Sequence, residues 1–264
     1  MTPYEHCITQ AAVIGQKFHD LIANNNTKQQ KFFIEYPDVQ KFNIRSPILV
    51  LGLNPAGEDN PEIGRRSPNL LFHIPEIENT ISAEDYQSLQ KFCYSPYFKT
   101  FIDCFRKLKP SINPFWFHKD VLDEIIKENS KYITEEDIRP LRCLIAREQN
   151  NTNYLIFADL VQYSMTDSKV ILKYLKVDGI PMLVNQYFES LIAFTKPKLI
   201  VSANAAVSHY LIENFNDNKD AASFDYKEIR IFLASMLTGQ RAMDVFSRIR
   251  LFNEIQDYLN IKSA

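Results

Sequence analysis

The sequence predicts an α/β fold, a three-layer α/β/α sandwich around a central, mainly parallel four-stranded sheet. Three observations carry this expectation. Four short apolar runs of strand length recur along the chain. Amphipathic helical patterns lie between them, and strands that alternate with helices build βαβ units. Hydrophobic residues make up 45% of the 264, enough to bury a sizeable core.

Each element follows in order. Tyr4, Ile8, Ala11, Ile14, Phe18 and Leu21 make one helical face, which Asn24-Asn25-Asn26 ends. Pro47 to Leu53 is a strand buried on both faces, closed by Asn54-Pro55. Phe98, Phe101, Ile102, Phe105 and Leu108 form the next helix. The second strand is Tyr154 to Ala158, followed by a helix carrying Leu183, Val184, Tyr187, Phe188, Leu191 and Ile192. Leu199 to Ala203 is the third strand, and Ala206, Tyr210 and Leu211 mark a helix after it. Ile229 to Ala234 is the fourth, and Met243, Phe246, Ile249, Phe252 and Ile255 predict the last helix. Right-handed crossovers place helices on both faces of such a sheet. Two stretches fit poorly. Residues 58–94 are polar with prolines at 61, 68 and 75, and residues 110–150 hold one helical pattern (Val121, Leu122, Ile125, Ile126). Both read as insertions near the ligand-binding edge of one domain spanning 1–264.

Composition narrows the function. Net charge is −2 and the pI is about 6.2, so a nucleic-acid contact needs a local patch. No Gly-rich phosphate-binding motif occurs. Cys7, Cys93, Cys104 and Cys143 lack Cys-x-x-Cys spacing, and His73, His118 and His209 lack metal spacing, so no metal and no cofactor is expected. Thiols of this kind fit a reducing compartment. Neither a leader pattern at Met1–Gln10 nor a membrane-length apolar run occurs, and the expectation is a cytoplasmic monomer with no membrane contact.

In an open parallel sheet, ligands bind beyond the carboxyl ends of the strands. That rule selects Asn54–Asn60, Asp159–Asp167, Asn204–Ser208 and Ser235–Asp244. Polar residues also start ordinary loops, so any one segment has a plain structural explanation: Asn54 a turn residue, Asp159 a cap, Thr238 a helix N-cap, Arg241 a solvated charge. Convergence of several segments is what a site requires.

Four stretches carry a resemblance. Ile48 to Gly57, with Gly52-Leu53-Asn54-Pro55-Ala56-Gly57, is similar to the first motif of the uracil-DNA glycosylase superfamily. The nearest form is the Gly-Leu-Asn-Pro version of its mismatch-specific, thymine-DNA and single-strand-selective branches, with Ala56 inserted before the glycine. Phe157-Ala158-Asp159 resembles the strand that aims an Asn amide at the base, and here Asp replaces Asn. Ser235-Met236-Leu237-Thr238-Gly239 occupies the place of the second motif, without its usual His-Pro. Ser95-Pro96-Tyr97-Phe98-Lys99-Thr100-Phe101 and Lys196-Pro197-Lys198-Leu199 echo two further family segments, so the resemblance spans roughly 47–258 in order.

The resemblance implies a DNA glycosylase-like enzyme, acting on uracil or a related damaged base in single- or double-stranded DNA. Breaking an N-glycosidic bond leaves positive charge on the sugar and negative charge on the base. Asn54 would orient the attacking water, and Ser235 stands near the second-motif catalytic position. Asp159, Phe72 and Gly57 would bind the base. Leu237 or Met236 would fill the vacated stack, and Thr238, Gly239, Gln240 and Arg241 would meet DNA, with phosphates at the N-terminus of the last helix. Ionised Asp159 only accepts hydrogen bonds, so it suits an amino-bearing base unless burial protonates it. The competing expectation is a non-catalytic member of the fold that binds DNA, a nucleotide or a protein partner. An unrelated α/β hydrolase ranks below both, since no Gly-x-Ser-x-Gly elbow occurs.

Overall fold

A computed structural model describes residues 1–23, 41–54, 96–108, 112–115, 118–128, 139, 154–163, 165, 167–237 and 242–261. In chain order the elements are α1 (Pro3–Ala23), β1 (Ile48–Gly52), α2 (Pro96–Leu108), β2 (Asn113–Pro114), α3 (Lys119–Glu128), β3 (Tyr154–Asp159), α4 (Ser168–Tyr174), α5 (Ile180–Thr195), β4 (Leu199–Ser202), α6 (Ala205–Phe215), β5 (Ser223–Tyr226), β6 (Ile229–Phe232) and α7 (Val245–Ile261). Among the described residues no helix is long and apolar enough to cross a membrane.

Local chemistry sets several boundaries. Thr2 and Glu5 form a capping box at α1: Glu5 N donates to Thr2 Oγ1 at 3.1 Å and Thr2 N donates to Glu5 Oε2 at 2.7 Å. Helix α5 starts after Gly179 at φ 81° and ends at Lys196 in a left-handed conformation, where Pro197 blocks another turn.

The sheet has six strands in the order β2-β3-β1-β4-β6-β5. This corrects the expected count of four. The four apolar runs form its parallel centre, and the two added strands lie at the edges. Strand β5 pairs antiparallel with β6, and β2 pairs with β3 through only Asn113 and Pro114. Neither edge strand has the continuous apolar run that marks a doubly buried strand. Strand β2 and helix α3 fall inside 110–150, so part of that stretch belongs to the sandwich. Residues 58–94 lie outside the described residues.

Both faces are covered. Tyr226, opposite Ile229 in register, packs its ring on Phe188 of α5 and Phe215 of α6. Phe232, on the other face of β6, meets Tyr258 of α7, and Phe252 of α7 meets Phe105 of α2. Helix α1 joins the α5 layer, with Tyr4 against Phe194. One hydrophobic core runs through all three layers.

The last helix departs from its predicted face. Leu251, Phe252, Ile255 and Leu259 are buried, but Phe246 is 75% exposed and Ile249 51%. Helix geometry explains this. At about 100° per residue the four buried side chains share one stripe, and Phe246 and Ile249 fall outside it, with Val245 also exposed.

Candidate functional site

The chain enters the sheet at β1, adds β3 on one side, then crosses over β1 to add β4 and β6 on the other. A reversal of this kind opens a crevice at the carboxyl ends of the central strands. The loops that reach this edge follow β3, β1, β4 and β6.

Asn54 and Asp159 are brought together here. Asp159 is the last residue of β3 and stands opposite Gly52 in the β1–β3 register. The pairing continues past the strands: Leu160 N donates to Gly52 O and Val161 N to Leu53 O, both at 2.9 Å. Asn54 follows directly, and its Nδ2 donates to the Met165 carbonyl at 2.8 Å. The amide is thereby held in one orientation by the loop that Asp159 begins.

Gly52 has a specific role in this arrangement. A Cβ at this position would collide with Asp159 Oδ1. The glycine is the space in which the carboxyl lies. Asp159 keeps some exposed surface at the cleft, yet protein surrounds its carboxyl closely enough that burial pushes its pKa up to about 7. The carboxyl therefore changes charge near neutral pH. When protonated it offers one donor and one acceptor, as an Asn amide does. The cap of α4 is Asp167, which accepts from Lys169 N at 2.9 Å.

The floor beneath the loop is polar and buried. Gln162 is fully buried, and its Nε2 donates to Asp159 O at 2.7 Å and to Tyr187 OH at 3.0 Å. This ties the Asp159 backbone to α5. Gln162 and Met165 were not legible as site residues: one looks like any loop glutamine, and the other acts only through its backbone carbonyl.

The loops after β4 and β6 are joined by a second network. Ser202 Oγ accepts from Ala234 N at 3.0 Å and contacts Ser208 Oγ, and Ser208 Oγ donates to Ala234 O at 2.7 Å. Asn204 caps α6 by accepting from Ala206 N at 2.8 Å. For the Asn204–Ser208 segment the plain structural explanation suffices.

Ser235 is partly buried at the end of β6. Strand β4 lies between β6 and β1, so the strand whose loop carries Ser235 runs about 10 Å from the one whose loop carries Asn54. Leu237 is only 1% exposed and belongs to the core, so as folded it fills the interior and is not a wedge at the surface. Partly exposed Met236 keeps the outer position of that loop. The N-terminus of α7 is also different from its expected role. Asp244 Oδ1 accepts from Phe246 N and Ser247 N, both at 2.9 Å, so a carboxylate of the chain already occupies the amides assigned to phosphate. Phe72, Gly57, Thr238, Gly239, Gln240 and Arg241 lie outside the described residues.

Among the described residues no group of His, Cys, Asp and Glu could hold a metal ion. No family model, curated protein or solved structure matches the chain.

Proposed function

We propose that the chain is a divergent member of the uracil-DNA glycosylase superfamily that hydrolyses the N-glycosidic bond of a deaminated base in DNA. One observation carries this reading: an oriented amide, Asn54, beside a carboxyl that is protonatable near neutral pH, Asp159, at the central crevice. Protonated Asp159 donates to a carbonyl oxygen and accepts from a ring N–H, which matches the edge of uracil or hypoxanthine. Asn54 orients the water that attacks the sugar carbon as the base departs, and the proton ends on the released base. With no carboxylate at Asn54, catalysis rests on stabilising the leaving base, so turnover is slow. Ser235, further along the edge, reaches the sugar-phosphate side of the extruded nucleotide.

The test is base release. Labelled oligonucleotides carrying uracil, hypoxanthine, xanthine or a thymine mismatch, in single and double strands, are incubated with the protein and cleaved with alkali at abasic sites. The expected result is release of at least one base, reduced at least about 100-fold in Asn54→Ala, the scale of losing one positioned polar group. Absence of release at high enzyme concentration sinks the catalytic reading.

A further inference from the structure

The peptide between Asp159 and Leu160 is held from both sides. Its N–H donates to Gly52 O on β1 at 2.9 Å. A trans peptide sends its carbonyl the opposite way, so Asp159 O faces away from β1. On that side, among the described residues, β2 pairs with β3 no further than Leu155. The donor to Asp159 O is instead Gln162, whose Nε2 lies 2.7 Å from it. The same nitrogen donates to Tyr187 OH at 3.0 Å, in the middle of α5.

Core packing alone does not account for a glutamine here. Gln162 and Tyr187 are fully buried, and a buried amide is costlier than an apolar side chain of its size unless its hydrogen bonds offset the desolvation. One bond fixes the carbonyl of Asp159, and the other ties that amide to a helix buried along most of its length. The Asp159 carboxyl hangs from the peptide so fixed and lies in the space that Gly52 leaves. Strand β1 brings it no charged side chain, since Ile48 to Asn54 contains none. Tyr187 reaches Gln162 from α5. On the loop itself, burial pushes the Tyr163 hydroxyl up and Asp167 caps α4.

We infer that Gln162, anchored by the Tyr187 hydroxyl, is the positioning residue of this site: it locks the peptide after Asp159 and so keeps the carboxyl in the space left by Gly52. The inference rests on the proposed function for what the carboxyl meets, but its test reads the carboxyl itself and not base release.

The experiment is an NMR titration of the full chain labelled with carbon-13 at its aspartate carboxyls, with Asp159→Asn identifying the Asp159 signal. The wild-type midpoint is expected at about 7. Gln162→Met, close in size but without a donor, frees the peptide and is expected to lower the midpoint by about one pH unit or more as water reaches the carboxyl. Tyr187→Phe, which keeps the ring and removes only the hydroxyl, should lower it by less, and decides the matter where Gln162→Met does not fold. Ser202→Ala, which removes a buried hydroxyl from the network after β4, controls for lost stability alone and should titrate like wild type. Three results overturn the assignment: a wild-type midpoint in the ordinary carboxylate range, no fall in the variants that fold, or an equal fall in Ser202→Ala. A midpoint that follows Gln162 with no base release leaves the positioning role standing and removes the enzyme. Base release with a midpoint indifferent to Gln162 does the reverse.

Discussion

Asp159 is the residue whose substitution separates the chemistry from the fold. Its folded pKa of about 7 lies above the ordinary value of 3.8. The folded chain thus holds a proton that the unfolded chain releases between those values. Stability from this site is complete below about pH 4 and is lost as pH rises through about 7. Asp159→Asn removes this loss and is expected to raise stability at pH 8 by roughly 2–4 kcal/mol, measured by urea unfolding. In base-release assays the wild type should lose activity as pH rises through 7, while Asp159→Asn keeps a flat profile across that range. Identical profiles would mean that the proton on Asp159 has no part in recognition. Gly52→Ala places a methyl group where the carboxyl lies, and is expected to cost about 1–3 kcal/mol of stability and most of the activity.

At the scale of elements, α7 is set by its cap more than by propensity. Asp244 accepts from two backbone amides and from Ser247 Oγ, and these Ser247 bonds are the main reason its carboxyl sits below the usual carboxylate range. A depressed carboxyl stabilises above its ordinary pKa, and that contribution is lost as pH falls through the folded value. Asp244→Ala should therefore lower the melting temperature at pH 7 and have a smaller effect in strong acid, which thermal melts at two pH values would reveal. The serine network between β4, α6 and the loop after β6 is a second element-level device. Ser202 is fully buried and accepts from Ala234 N, so Ser202→Ala strands a buried amide and should cost about 1–3 kcal/mol. A chemical-unfolding midpoint equal to wild type would show that the loop finds another partner.

Across the whole molecule, β1 is the fixed reference. It is paired on both sides, with β3 and β4, and its first four residues are buried. Amides of Leu49 to Leu51 are expected to exchange with deuterium only on global unfolding, and those of edge strand β5 much sooner. The candidate site thus rests on the strand paired on both sides. Rigid support beneath Asn54 and Asp159 serves positioning.

The parallel centre of the sheet was readable because doubly buried strands must be continuously apolar, as Ile48–Leu51 and Leu155–Ala158 are. Strands β2 and β5 were missed because a two-residue bridge and a half-exposed Ser-Phe-Asp-Tyr segment have no such signature. Asn54 and Asp159 were named from their position after strands, which topology makes general. That Asp159 packs over Gly52, that Met165 holds Asn54 and that Leu237 turns inward depend on which strands become neighbours. Hydrophobic periodicity alone determined the layers, the core and the edge of the sheet where polar residues gather, because burial selects residues by local spacing. Only the tertiary structure decided the proton on Asp159 and the exposure of Phe246: the first is set by desolvation among residues distant in sequence, and the second by which face of α7 turns to the core.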